Sequence, residues 1–191
     1  MKFPRSGNSN RRIEGVGRAV SIRRIEAADL PALRNFVSHL SRETGYKRLL
    51  SGRTPTEEEL QRWCSIDPLR EEAIVAITRT GNEDTLAGVA RYVQESADAA
   101  DFAIVLADAW QGLGLGKLLM SALVASAKER GLHRLTGITL SSNLGMLSLA
   151  RGLGFTTTRL PDAFTTRLSL QLVPTHHFQK PREHDVPTHR L

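Results

Sequence analysis

Three glycines at alternating positions stand in the run Asp108-Ala109-Trp110-Gln111-Gly112-Leu113-Gly114-Leu115-Gly116-Lys117. The run follows an apolar, strand-like segment, Phe102 to Ala107, and opens a strongly apolar helix pattern. Glycine has no Cβ, so alternating glycines let backbone N–H groups come close to a ligand. A helix N-terminus at the same place adds unpaired donors and a dipole that favours anions. The chemistry of the run is therefore the holding of a phosphate or pyrophosphate.

Three phosphate motifs compete for these residues. A P-loop requires its first glycine where Gln111 stands, and a metal-binding hydroxyl where Leu118 stands, so it fails. A dinucleotide fingerprint requires glycine or alanine where Lys117 stands, and it fails too. The pattern Gln/Arg-x-x-Gly-x-Gly/Ala is met in full by residues 111–116.

The elements that must position this run are readable from periodicity. Val20 to Ile25 alternates as a strand would. Asp29 is a candidate cap for a helix with Pro31 in its first turn and Leu33, Phe36, Val37 and Leu40 as its apolar face. Gly45 and Gly52 break the next stretch. Thr56 and Glu59 form a capping box for a helix through about Ile66. Ala73–Ile77 and Leu86–Val93 read as a hairpin around Gly81-Asn82-Glu83-Asp84, followed by a strand over Asp101–Ala107. The helix after the glycines buries Leu115, Leu118, Leu119, Ala122, Leu123 and Ala127 and ends at Gly131. A strand over Arg134–Leu140, a short helix over Leu144–Arg151 and a last strand over Thr165–Leu172 complete the pattern. The order predicts an α+β fold: a mixed, largely antiparallel central sheet with helices on both faces.

The chain has 191 residues and a formal net charge of +6. Residues 1–19 are expected to be a basic, disordered tail, residues 20–173 a single domain, and residues 174–191 a flexible tail. The net charge resides mostly in the N-terminal tail, so a solvated tail is favoured over a nucleic-acid-binding one. His176, His177, His184 and His189 lie in the C-terminal tail, where nothing fixes a metal-binding geometry, and no metal is expected. The lone Cys64 lies among Leu60, Trp63 and Ile66 at helical spacing and reads as a small buried hydrophobe. No apolar run approaches a membrane span and no secretory leader is evident, so a cytoplasmic protein is expected.

With residues 111–116 in place, the segment from Val20 to Leu172 resembles the GNAT superfamily of acetyl-CoA-dependent N-acetyltransferases. Asn143 after the next strand and Gly152-Leu153-Gly154-Phe155 after the next helix strengthen the resemblance. The segment from Leu135 to Phe155 is similar to the catalytic domain of bacterial protein-lysine acetyltransferases of the Pat type. The resemblance implies acetyl-CoA as co-substrate. Its pyrophosphate would lie on Gln111, Gly112, Leu113, Gly114, Leu115 and Gly116, with Lys117 either pairing with a phosphate or facing solvent. Ile104, Val105 and Leu106 would line the pantetheine arm, with the Leu106 N–H polarising the thioester carbonyl. Asn143 would bond the arm or simply cap its helix.

The same resemblance implies a base where the Pat-type enzymes have glutamate, immediately before Phe102. Here that residue is Asp101, with Glu95, Asp98, Asp108 and Tyr92 as alternatives. The tyrosine that many GNAT enzymes use to protonate the thiolate is Ala150 here, as is common in the Pat-type branch. The expected reaction is direct attack of a primary amine on the thioester, with a protein lysine as the first acceptor class. A small amine or polyamine is the second, and a non-catalytic acetyl-CoA sensor the third. A homodimer is compatible with these readings.

Overall fold

The computed structural model describes residues 9–12, 19–80 and 83–172. Eight strands form one sheet: β1 (Ser9–Arg12), β2 (Ala19–Arg24), β3 (Glu71–Thr80), β4 (Glu83–Gln94), β5 (Ala99–Leu106), β6 (Arg134–Leu140), β7 (Thr156–Arg159) and β8 (Thr165–Gln171). Their spatial order is β1-β2-β3-β4-β5-β6-β8-β7. Among the described residues, only β5 and β6 pair in parallel. Five helices complete the fold: α1 (Leu30–Ser38), α2 (Arg42–Leu49), α3 (Glu57–Cys64), α4 (Leu115–Glu129) and α5 (Leu144–Gly152). This is the mixed, largely antiparallel α+β sheet expected from the sequence.

Alternation along the strands divides the core in two. Ile74, Ala76, Ala90, Tyr92 and Phe102 face α4 and α5. Ala73, Val75, Ile77 and Val89 face α1 and α3. α4 buries Leu115, Leu119, Met120 and Leu123 completely. Side chains of this size contribute about 1.5–3 kcal/mol each when fully buried, so this helix anchors the glycine run at its own N-terminus.

Local signals are realised to different degrees. The Thr56/Glu59 capping box forms, with Glu59 N donating to Thr56 Oγ1 at 3.2 Å and Thr56 N donating to Glu59 Oε2 at 2.9 Å. Gly131 ends α4 at φ +78°. Asp29 does not cap α1 through its side chain. Its carboxylate instead takes a fork from Arg23 at 2.6 and 2.7 Å and the N–H of Glu26 at 2.8 Å. A charge-assisted fork outcompetes a single cap bond.

Three elements depart from the sequence reading. β1 lies within the tail expected to be disordered and pairs with β2 from Ser9↔Ile22 to Arg12↔Ala19. Pairing on a free edge uses backbone groups and leaves no side-chain period to read. β7 adds a short outer strand to β8. α2 forms where Gly45 was expected to break the chain, for reasons visible at the active site. Residues 174–191, with the four tail histidines, lie outside the described residues. No helix among the described residues is long and apolar enough to cross a membrane.

Candidate active site

β5 and β6 are hydrogen-bonded neighbours only from Ala99↔Arg134 to Asp101↔Thr136. Beyond Asp101 the two strands splay, and the edge of β5 opens into a cleft. Backbone direction alternates along an antiparallel ladder. Ala107 N donates to Ala87 O across β4, so Val105 and Ala103 also turn their backbone groups toward β4. Phe102, Ile104 and Leu106 therefore turn theirs toward the cleft. The Leu106 carbonyl, on that side, accepts from Gln111 Nε2 at 3.3 Å. Of the three residues expected to line the pantetheine arm, Ile104 and Leu106 offer backbone groups to the cleft. Val105 does not, because its backbone pairs with Val89.

The glycine run closes one end of the cleft. Gly112 and Gly114 adopt φ +75° and +84°, and the space where a Cβ would point is open at both. No N–H from Gly112 to Lys117 donates to a protein acceptor among the described residues. Six consecutive free amides at the start of a 15-residue helix form a strong anion cradle. Gly116 serves a different purpose. A Cβ there would lie 3.1 Å from Leu149 and 3.4 Å from Leu106, so its absence lets α4 approach α5 and β5. Leu115 is fully buried and contributes only backbone to the cradle. Lys117 is exposed at the cavity rim.

The cleft is a cavity of about 430 Å³. It runs from the cradle along Ile104 and Leu106 to Gly137, Thr139 and Asn143. A Cβ at Gly137 would lie 2.9 Å from the Phe102 carbonyl oxygen. That glycine, not singled out in the sequence, sets how closely β6 approaches β5 where the splay begins. Asn143 caps α5 by accepting from Met146 N at 3.2 Å and donates to Thr139 Oγ1 at 3.2 Å. It lines the cavity while doing so, and both of its expected roles are compatible.

Gln111 lines the cavity beside the cradle, but its side-chain amide is already engaged. Its amide donates to Thr44 Oγ1 at 3.1 Å as well as to the Leu106 carbonyl, tying α2 to the end of β5. Asp108 completes this tie, accepting from Ser41 N at 3.0 Å, Ser41 Oγ at 2.7 Å and Thr44 Oγ1 at 2.7 Å. Burial pushes its pKa up, but these hydrogen bonds outweigh burial and hold it below the usual carboxylate range. Asp108 is thus a structural anchor. It also explains α2, whose sequence has little apolar face but whose N-terminus is fastened from outside.

Asp101 stands at the start of the splay, on the face shared with Ala103 and Val105. Partial burial, reinforced by the charge of Glu95, raises it to about 6, against the opposing pull of Arg48. It keeps contact with solvent, so protons can exchange. The alternatives are less suited. Asp98 is exposed and held low, first by the Ser96 hydroxyl. Tyr92 is 1% exposed and faces α4, on the side of the sheet opposite Asp101. Ala150, in the position of the missing tyrosine, is buried in α5.

A second cavity of about 760 Å³ opens on the Asp101 face, between α1, α2, the segment 51–55, Trp63 and β4–β5. Arg48 and Val105 line both cavities. Arg48 lies over the Trp63 ring, 5.7 Å from its centroid. Burial, together with the charge of Arg91, lowers it to about 10, against the pull of Asp101. Sequence reading missed Arg48 because α2 itself was not legible. Arginines in a helical stretch carry no signal until the stretch is known to face a cavity.

The acetyltransferase (GNAT) domain model matches residues 20–156. The chain is 30% identical over 151 residues to acetyltransferase PA5475 of Pseudomonas aeruginosa, covering 78% of this chain and 81% of that protein. It is 30% identical over 135 residues to acetyltransferase Pat of Mycolicibacterium smegmatis, covering 70% of this chain but only 40% of that protein. The GNAT domain of S. lividans PAT superposes with a TM-score of 0.78 at 23% identity, covering 90% of this chain and all of that domain. The structure of yncA from Salmonella typhimurium, solved with acetyl-CoA, gives 0.68 at 22% identity, covering 88% and 98%. The free amides, the splayed strands and the cleft-facing edge of β5 suit acetyl-CoA as co-substrate. The chain belongs to the GNAT acetyltransferase family.

Proposed function

We propose that this acetyltransferase acetylates a small primary amine bound in the second cavity, with Asp101 as the base. The observation that carries the reading is the meeting of two cavities at β5. One has the features of an acetyl-CoA cleft, and the other opens on the face that bears Asp101. In this reading the amides of Gly112 to Lys117 take the pyrophosphate, and Asn143 bonds the pantetheine arm. Leu106 lies next to the cradle and its N–H serves the arm. Ile104 lies nearer Asp101, so its N–H is the better placed donor to the thioester carbonyl than that of Leu106. Bound acetyl-CoA supplies an acyl group activated as a thioester. An amine nitrogen forms the new bond to the acyl carbon as the carbon–sulfur bond breaks. The ammonium form cannot attack, and Asp101 takes the proton that the nitrogen must lose. The thiol of CoA is acidic enough for sulfur to leave as the thiolate, which then takes a proton from solvent.

A protein lysine is the second reading, favoured by the likeness to the Pat-type enzymes. An assay of acetyl-CoA consumption across small amines and candidate proteins, with acyl-CoA synthetases among them, tests both. Transfer to small amines that is lost in Asp101→Asn supports the proposal. Binding of acetyl-CoA without transfer to any amine would overturn it.

A further inference from the structure

The second cavity holds more positive charge than its own residues neutralise. Arg91 forms its floor with Val89 and Val105 and is 11% exposed. Its partner is Glu71 Oε2 at 3.3 Å. Glu71 is also engaged by the guanidinium of Arg62, so one carboxylate serves two arginines. Arg48 reaches the same cavity from α2 and has no ion pair or hydrogen bond among the described residues. The contact with the Trp63 ring face holds the Arg48 guanidinium by a cation–π interaction and uses none of its N–H groups, which stay free to bond a ligand. Glu43, the carboxylate on the rim, is paired with Lys47. Arg91 shares its carboxylate, and Arg48 feels the charge of Asp101 without a direct ion pair or hydrogen bond, so N–H groups in this partly enclosed space remain free for an anion.

We propose that the acceptor amine carries its own carboxylate, as an α-amino acid with an apolar side chain does, and that Arg48 and Arg91 hold that carboxylate. The inference rests on the acetyl-transfer reading above and adds the substrate class. Placement on the sheet supports it. Arg91 faces Ala103 across the β4–β5 ladder, and Asp101 is the next residue of β5 on the same face. The backbone positions of Asp101 and Arg91 are thus offset by two residues, roughly 7 Å along the strand. An α-amino acid has its amine and carboxylate on one carbon, and long arginine side chains close the remaining distance. Leu33, Phe36, Leu49 and Trp63 give part of the wall an apolar surface placed to receive a hydrophobic side chain, while Arg42 and Arg53 add further positive charge to the rest of the lining. A polyamine would bring a second cation against Arg48 and Arg91, which disfavours that class.

The test compares leucine, methionine and phenylalanine with their carboxamides, which keep the α-amine and lose the charge. The wild-type chain is expected to acetylate the free acids with a kcat/KM about 10²-fold above the amides, the scale of a lost charge-assisted hydrogen-bond pair. In Arg48→Gln that preference is expected to collapse toward one, chiefly through KM for the acid, while KM for acetyl-CoA changes less than about threefold. Arg48→Lys is expected to recover part of it. Calorimetric binding of the acids in the presence of CoA gives a readout independent of turnover. Equal use of acids and amides by the wild type, or transfer to protein lysines alone, would overturn the proposal and leave acetyl transfer standing. An equal loss for acids and amides in Arg48→Gln would overturn it too, since Arg48 would then act at the acyl group. Acid binding that depends on Arg48 without any transfer would support the carboxylate site and refute the reaction.

Discussion

Asp101 joins the chemistry of the site to its energetics. Its pKa of about 6 means that the ionised base is lost as pH falls through about 6. We expect the rate to show a limb with an apparent pKa near 6, and Asp101→Asn to lower kcat by about 10²-fold or more and remove that limb. The sign for stability is opposite. A carboxyl whose folded pKa lies above its ordinary value of 3.8 stabilises the fold below that value and loses this contribution as pH rises through about 6. Asp101→Asn should therefore be somewhat more stable than wild type at pH 7, with a difference in Tm that changes between pH 4 and pH 6. A flat difference would argue against the shift. At the cradle, Gly114→Val is expected to weaken CoA binding at least tenfold. A branched side chain is strained at φ +84° and fills the space an anion would take. Wild-type affinity measured by calorimetry would refute the placement of the pyrophosphate.

At the scale of elements, α2 is the piece whose position depends most on distant residues. Its N-cap Ser41 and its Thr44 are fastened to Asp108 and Gln111, more than 60 residues away. Removing the anchor in Asp108→Ala should lower Tm by about 2–4 °C, which for a chain of this size corresponds to about 1 kcal/mol. It should raise KM for the amine more than KM for acetyl-CoA, because α2 contributes more of the lining of the proposed acceptor cavity than of the first cavity. An unchanged ratio of the two constants would show that α2 keeps its place without the anchor. The capping box of α3 and the glycine stop of α4 need no such distant partner, which is why they were readable locally.

At the scale of the whole molecule, the sheet is continuous except where β5 and β6 part. Acetyl-CoA lying in that gap would complete the ladder, so its binding should protect the amides of Ile104 and Leu106 from hydrogen exchange. The Val105 amide already faces β4 and should change little. Equal protection of all three would contradict the alternation that assigns donors to the cleft. Opposite faces of the same sheet carry α4 and α5, which line the first cavity, and α1 and α3, which line the second, while α2 lines both. β5 lies between the two cavities, and its Val105 lines both.

The sequence by itself determined the sheet with helices on both faces, the capped start of α3, the glycine end of α4 and the glycine run at residues 112–116, whereas Asp101 was named as a candidate base only by the family resemblance. The locally determined features are written in short-range patterns: alternation, helical spacing, caps, and glycines at positions that need positive φ or a close approach. Only the tertiary structure decided which backbone groups of β5 face the cleft, since that depends on the register with β4. It alone showed that Gln111 and Asp108 fasten α2, that Gly137 sets the start of the splay, and that Arg48 meets Arg91 across a cavity. Those relations join residues far apart in the chain, and no local period encodes a contact whose two halves lie on different elements.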